Sequence, residues 1–185
     1  MLKRFNFFHQ KKGNRSKKRT YQAQQVTISD QVYTIRTIVP DDIKDLLAIE
    51  REVYAGELPW TKTAFLLELQ AKEPHQYLLV KKEAVTVGFI GCRLFESNAH
   101  ITNVAVLSSY QGQGIGSFLI NEMKQFAQQY QCEKLSLEVR ISNKHAQSVY
   151  RKLGFVSTTI KPAYYAENGE DALEMTYLLK EASSR

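Results

Sequence analysis

Residues 111–116 read Gln-Gly-Gln-Gly-Ile-Gly and connect a predicted β-strand to a predicted amphipathic helix. Because glycines have no side chain, the backbone N–H groups of such a turn can approach an anion closely. The helix that follows adds unpaired amides and the positive end of its dipole, which favours a pyrophosphate as the bound group. A turn of this composition also commonly does no more than join a strand to a helix, so both interpretations stay open.

Two other phosphate-binding fingerprints do not match this turn. A Walker A motif ends in Gly-Lys-Ser/Thr, and a dinucleotide-binding fingerprint needs a glycine where Ser117 stands. Both of these nucleotide-binding classes therefore lose support.

The rest of the sequence predicts alternating strands and helices from residue 32 onward. Apolar runs predict strands at residues 32–39, 76–82, 85–95, 100–106, 135–140, 155–160 and 173–179. Helices are predicted after Pro40, from a cap at Thr61, after the glycine turn and at residues 143–153. We expect an α/β (α+β) fold in which about four helices cover a mixed, mostly antiparallel sheet of six to seven strands.

The positive charge of the chain lies in its first 29 residues. The chain has 185 residues and a formal net charge of +6, and residues 1–29 hold 8 of its 25 basic residues and none of its 19 acidic ones. The remaining 17 basic residues leave the rest of the chain at −2. We therefore predict a basic, disordered arm at residues 1–29 and one folded domain at residues 30–185. Weak contact of the arm with RNA, the ribosome or a membrane surface remains an alternative to a plain charged arm.

The few cysteines and histidines give no sign of a disulfide framework or a metal site. Cys92 and Cys132 form no CxxC motif, and neither lies at metal-ligand spacing from a histidine. We expect a reducing compartment, with the cytoplasm as the simplest choice, and no bound metal. We also expect no signal peptide and no membrane span, because no apolar run is long enough for either.

The glycine turn and several strings around it resemble a known enzyme family. The turn is similar to the Q/R-x-x-G-x-G/A acetyl-CoA motif of the GNAT acetyltransferase superfamily. Seven other short strings resemble the bacterial RimI type, the ribosomal-protein-alanine N-acetyltransferases. These strings are Ile-Thr-Asn-Val-Ala-Val at 101–106, Leu-Glu-Val-Arg at 137–140, Ser-Asn at 142–143, Val-Tyr at 149–150, Leu-Gly-Phe at 153–155, Tyr-Tyr at 164–165 and Gly-Glu-Asp-Ala at 169–172. The resemblance covers roughly residues 32–180 and implies a GNAT fold.

The resemblance also implies the residues of a site. Glu138 matches the family's proton acceptor and Tyr150 its proton donor. The implied contacts to acetyl-CoA are Val104, Ala105, Val106, Gln111, Gly112, Gln113, Gly114, Ile115, Gly116, Ser117 and Asn143. Each of three residues has a simpler interpretation: Glu138 as a solvated strand glutamate, Tyr150 as a core residue and Asn143 as a helix cap.

Three aromatic residues are candidates for contact with the acetyl acceptor. Trp60 lies in the predicted loop between the first two helices, and Tyr164 and Tyr165 lie between the last two predicted strands. Loop residues at such places can contact a peptide, and they can equally anchor the loop itself.

The chemistry of acetyl transfer favours an α-amine as acceptor. An α-amine titrates near ~8 and a lysine near ~10.4, so keeping a lysine neutral costs roughly 3 kcal/mol more. The RimI resemblance implies the N-terminal alanine of a small-subunit ribosomal protein as the acceptor, which agrees with this preference. We predict direct attack in a ternary complex, by a monomeric enzyme. The alternatives are transfer to another protein N-terminus, a lysine or a small amine, and a non-enzymatic acetyl-CoA-dependent module that binds RNA or the ribosome.

Overall fold

The computed structural model describes residues 21–54, 56 and 59–179. Its strands are β1 Gln24–Ile28, β2 Gln31–Thr37, β3 His75–Lys82, β4 Val85–Phe95, β5 Asn98–Val106, β6 Lys134–Arg140, β7 Val156–Tyr165 and β8 Glu170–Leu178. Its helices are α1 Ile43–Val53, α2 Lys62–Leu69, α3 Ile115–Gln129 and α4 Lys144–Lys152. Short 3-10 turns lie at Pro40–Asp42 and Ser108–Tyr110.

The eight strands form one sheet in the order β1-β2-β3-β4-β5-β6-β8-β7. All neighbouring pairs are antiparallel except β5 and β6, which are parallel. The predicted antiparallel meander of β3, β4 and β5 is confirmed, and so is the mixed, mostly antiparallel sheet with four helices.

Each face of the sheet has its own apolar core. On one face, α3 packs Leu119, Met123 and Phe126 against strand residues such as Ile90 and Leu135. On the other face, α1 and α2 contribute Leu46, Ile49 and Phe65, which pack against Tyr77, Leu79 and Phe89. Because both faces are covered, the central strands consist of nearly continuous apolar runs.

The helix starts follow the local sequence. Thr61 caps α2, as expected, since its side-chain oxygen accepts a hydrogen bond from the Ala64 amide at 3.1 Å. Asn143 caps α4 in the same way, through the Ala146 amide at 3.0 Å. Gly114, with a φ of +87°, is the N-cap of α3.

The last residues of the predicted arm belong to the folded domain, so the predicted boundary after residue 29 is wrong. Residues 24–28 form β1 and pair with β2, from Gln24 opposite Ile35 to Ile28 opposite Gln31. The sequence Gln-Gln-Val-Thr-Ile is polar because β1 is an edge strand, and only Ile28 is buried. The sheet therefore has one strand more than expected, while residues 1–20 of the predicted arm and residues 180–185 of the predicted domain lie outside the described residues.

Tyr164 and Tyr165 are the last residues of β7 and do not lie in a loop, because β7 and β8 are longer than the apolar runs indicated. Among the described residues, no helix combines the length and apolar character needed to cross a membrane.

Candidate active site

The site lies where β5 and β6 separate. The two strands pair at Asn98–Lys134, Ala99–Leu135 and His100–Ser136, and no further pair joins them within the described strands. We refer to the space between residues 101–106 of β5 and 137–140 of β6 as the β5–β6 cleft. The edge of β5 that faces this cleft thus has backbone groups that the sheet does not pair.

The glycine turn lies at the end of β5 and leads into α3. Gly112 has a φ of +74°, and apart from its chain neighbours no described residue has a heavy atom within 4 Å of the position that a Cβ would take there. The first helical hydrogen bond of α3 runs from the Phe118 amide to the Gly114 carbonyl at 2.9 Å. The amides of residues 115–117 precede it and have no partner within the helix. The turn therefore presents a group of N–H donors, as predicted for an anion site.

The two glutamines of this turn use their side chains to hold the turn itself. Gln111 Nε2 donates to the Val106 carbonyl at 2.9 Å, and Gln113 Nε2 donates to the Ser109 carbonyl at 3.1 Å. Their contribution to anion binding would therefore come from the backbone.

Glu138 lies on β6 with its carboxylate between two nitrogen donors. Its Oε2 is 3.0 Å from Nε2 of His100, and its Oε1 accepts from Nζ of Lys161. Lys161 also pairs with Glu174, with Nζ 2.6 Å from Oε2. Burial opposes ionisation of Glu138, but the hydrogen bonds and charges of His100 and Lys161 outweigh it and lower its pKa to about 2.

Glu50 is a second carboxylate at the cleft, and the sequence analysis did not identify it. It lies on α1 with 1% of its surface exposed, and its Oε1 accepts from Nδ2 of Asn103 at 2.9 Å. Its Oε2 accepts from the Trp60 amide at 3.2 Å. Burial raises the pKa of Glu50 to about 7, against the smaller opposite effect of the Trp60 amide. A signal was present, since Glu50 follows Ile43 and Leu46 at helical spacing on the buried face of α1.

Asn103 links Glu50 to the strand that borders the cleft. It immediately precedes Val104, Ala105 and Val106 on β5. Its Oδ1 atom is buried and has no hydrogen-bond partner among the described residues. A buried acceptor of this kind is costly unless a bound group donates to it.

Tyr150 lies on α4 and is also buried, with its ring centroid 6.1 Å from that of Phe155. Burial raises the pKa of its hydroxyl above the usual range, and the neighbouring Tyr54 adds to the effect. Tyr150 therefore stays protonated at neutral pH and remains able to donate. Its expected packing role is confirmed, while its role as proton donor stays a prediction.

The three aromatic candidates have different surroundings. Tyr164 and Tyr165 pack edge to face, with centroids 5.2 Å apart, and the Arg140 guanidinium lies 4.0 Å over the Tyr165 ring. Burial, followed by the charge of Glu138, raises the pKa of Tyr164 to about 12. Trp60 packs instead against Phe65 at 5.1 Å, so its ring anchors the segment before α2. Contact of any of the three with an acceptor stays a prediction.

The class of the protein follows from the fold and this arrangement. The chain belongs to the GNAT acetyltransferase family: the family model described as "Acetyltransferase (GNAT) family" matches residues 41–155. It is therefore an acetyl-CoA-dependent N-acetyltransferase.

More particular similarities are to N-terminal acetyltransferases. The chain is 35% identical to the "Putative ribosomal protein bS18-alanine N-acetyltransferase" of Bacillus subtilis, over 80% of this chain and 96% of the relative. It is 31% identical to the "N-alpha-acetyltransferase RimI" of Mycobacterium tuberculosis, over 81% and 95% of the two chains. The crystal structure of the ribosomal-protein-S18-alanine N-acetyltransferase from Escherichia coli superposes with a TM-score of 0.71 at 26% identity, covering 83% of this chain and 99% of that chain.

The residues of the cleft fit acetyl-CoA, the acetyl donor that the GNAT family uses. The space beside Gly112 and the N–H groups of residues 115–117 suit its diphosphate. The unpaired edge of β5 at Val104, Ala105 and Val106 suits its amide-bearing arm. Asn143 uses its side-chain oxygen to cap α4, so a cofactor contact by this residue stays a prediction.

The low pKa of Glu138 predicts a pH dependence of stability. Because its pKa of about 2 lies below the ordinary 4.5, ionised Glu138 stabilises the fold above pH 4.5, and this stabilisation is lost as the pH falls from 4.5 toward 2. In Glu138→Gln, the free energy of unfolding should fall less steeply over this range than in the wild type. Urea unfolding at several pH values between about 6 and 3 measures both slopes.

Thr27→Ala serves as the control, because Thr27 is an exposed residue of β1, a strand that does not neighbour β6, and the change removes no carboxylate. This variant should keep the wild-type slope. Equal slopes in wild type and Glu138→Gln would show that folding does not lower the pKa of Glu138.

Proposed function

We propose that the protein transfers the acetyl group of acetyl-CoA to the N-terminal α-amine of an alanine that begins a small-subunit ribosomal protein. One observation carries this proposal: the buried carboxyl of Glu50 has a pKa of about 7 and contacts Asn103 of β5, next to the strand edge suited to the acetyl donor. The names of the B. subtilis and E. coli relatives support the choice of acceptor.

The pKa of Glu50 suits an α-amine better than a lysine. A general base works best when its pKa lies near the working pH and not far below that of the group it deprotonates. An α-ammonium with a pKa near ~8 meets this condition for a base of about 7, whereas a lysine near ~10.4 does not. The same reasoning disfavours polyamines and aminoglycosides with strongly basic amines.

The two carboxylates of the cleft have different roles in this proposal. Glu50 accepts the proton of the attacking amine, directly or through water, and the unpartnered Oδ1 of Asn103 accepts a second hydrogen bond from the same amine. Glu138, held ionised by His100 and Lys161, orients the incoming ammonium group by its charge. The family resemblance made Glu138 the proton acceptor; that assignment stays a prediction, and a pKa of about 2 makes Glu138 the weaker base.

The remaining groups act on the thioester. Acetyl-CoA supplies an activated acetyl group and a thiolate leaving group. The backbone N–H groups of residues 104–106 that face the cleft polarise the acetyl carbonyl. Tyr150, which is protonated at neutral pH, donates its hydroxyl proton to the departing sulfur and regains a proton from solvent after the thiol leaves, while Glu50 releases to solvent the proton taken from the amine.

The acceptor peptide enters, in this proposal, beside the end of β7. Tyr164 and Tyr165 border the cleft there, next to Glu138 and Arg140. Glu170 pairs with Arg140 at 3.1 Å and accepts from the Ser142 amide at 2.9 Å, which fixes the connection between β7 and β8. We further propose that the enzyme acts in the cytoplasm as a monomer and that its basic arm contributes at most weak contact with the ribosome.

The acceptor specificity is tested by acetyl transfer to synthetic peptides. We expect transfer from acetyl-CoA to a peptide that begins with alanine, with the acetyl group on the α-amine when mapped by mass spectrometry. The control is the same sequence with a blocked N-terminus and an internal lysine, which should remain unmodified. Transfer only to lysine side chains or small amines would contradict the proposed acceptor.

The roles of the two carboxylates are tested by the pH dependence of turnover. A base must be deprotonated to act, so wild-type kcat at saturating substrates should rise with pH through about 7. Glu50→Gln should lower kcat by roughly 10²- to 10⁴-fold and remove this rise.

Glu138→Gln is the matched variant and should keep the rise near pH 7 while weakening acceptor binding. Affinity for CoA, measured by calorimetry, checks that both variants retain the cofactor site. If Glu138→Gln abolished the pH-dependent rise and Glu50→Gln kept it, the assignment of the two carboxylates would be reversed.

A further inference from the structure

We propose that the hairpin of β1 and β2 is a positioning element for the cofactor turn, in which Ser29 and Tyr33 hold Gln113 so that the turn is preformed for the diphosphate of acetyl-CoA. This inference rests on the use of acetyl-CoA and not on the identity of the acceptor. It assigns a role to Ser29, which was predicted to belong to a disordered arm, and to Tyr33, which was predicted to lie on the first strand.

The hairpin connection is short and has a defined conformation. Ile28 pairs with Gln31, and the two residues between them, Ser29 and Asp30, have φ values of +46° and +61°. Two-residue connections with positive φ at both positions match the right-handed twist of the strands they join. The tip of the hairpin is therefore held in one orientation relative to the sheet.

This tip contacts the middle of the cofactor turn. Ser29 Oγ donates to the main-chain carbonyl of Gln113 at 2.9 Å. Tyr33, whose side chain is 1% exposed, donates from its hydroxyl to Oε1 of Gln113 at 3.2 Å. Gln113 in turn donates to the Ser109 carbonyl at 3.1 Å, so both its main chain and its side chain are held.

The hydrogen bond from Ser29 fixes the direction of a peptide plane that matters for anion binding. In a trans peptide, the carbonyl and the following N–H point in opposite directions. Because the Gln113 carbonyl points toward Ser29, the Gly114 N–H points away from the hairpin. Ile28 closes the hairpin side, since a Cβ at Gly114 would lie 3.4 Å from Cγ2 of Ile28.

Tyr21, which precedes β1, lies next to α3, the helix that follows the cofactor turn. Tyr21 accepts a hydrogen bond from Gln24 at 2.7 Å and lines the same surface pocket as Glu122 of α3. The segment from Tyr21 to Tyr33 therefore contacts both the turn that begins α3 and the middle of that helix. Ordering this turn before the ligand arrives lowers the entropic cost of binding.

The inference is tested with Ser29→Ala, Tyr33→Phe and the double variant. Loss of these hydrogen bonds should raise the dissociation constant for CoA, measured by calorimetry, by about three- to tenfold in the double variant. The KM for acetyl-CoA should rise by a similar factor while kcat stays unchanged. Thr27→Ala, at an exposed position of β1, is the control and should leave both constants unchanged.

S-acetylpantetheine, which has the thioester arm but no diphosphate, separates positioning from general damage to the fold. Its KM should be the same in wild type and variants. A similar loss with both acetyl donors, or an unchanged affinity of the double variant for CoA, would overturn the inference. The CoA titration needs no acceptor, so its result does not depend on whether alanine peptides are acetylated. If Tyr33→Phe folds poorly, Ser29→Ala alone still tests the inference, because it alters only an exposed side chain.

Discussion

The separation of β5 from β6 is the constraint on which the site depends. The two strands pair over three residues each, and beyond them the backbone of β5 has one unpaired edge. The register of β4 and β5 is irregular next to Gly91. Gly91 pairs with Asn103 and Cys92 with Ile101, so Thr102 has no partner on β4. As a result, Thr102 and Asn103 both contact the α1–α2 face of the sheet, Thr102 through the hydroxyl of Tyr77 and Asn103 through Glu50. The unpaired edge of β5 and the residue that contacts Glu50 therefore lie next to the same irregularity.

The charges of the cleft are arranged so that two carboxyl groups differ in their affinity for protons. Glu138 contacts Lys161 and His100, and its pKa falls. Glu50 is buried and accepts hydrogen bonds from the Asn103 side-chain amide and the Trp60 backbone N–H, and its pKa rises. Separation of pKa values in this way allows one carboxyl to exchange a proton near neutral pH while the other remains charged. Burial is the physical cause of the raised pKa of Glu50, and the donors His100 and Lys161 are the cause of the lowered pKa of Glu138.

Much of the fold could be predicted from local sequence, whereas the site was predicted only in part. The meander, the four helices and the glycine turn have local signals, since Thr61 caps a helix and residues 111–116 precede an amphipathic one. The edge strand β1 was missed because Gln24–Ile28 is polar and lies beside the basic segment. The low pKa of Glu138 could not be predicted, because Lys161 and His100 reach it only through the pairing of distant strands. The helical spacing of Glu50 with Ile43 and Leu46 indicated a buried carboxyl, whereas the family resemblance pointed only to Glu138 as the proton acceptor.

The account centres on acetyl-CoA bound between the glycine turn and the free edge of β5. Hydrogen–deuterium exchange, measured by mass spectrometry with and without acetyl-CoA, tests this placement most directly, because it reports on the backbone N–H groups themselves. We expect slower exchange on binding at residues 104–106 and 112–117, with little change on α2. Binding without protection of these two segments, or protection confined to other parts of the chain, would contradict the account.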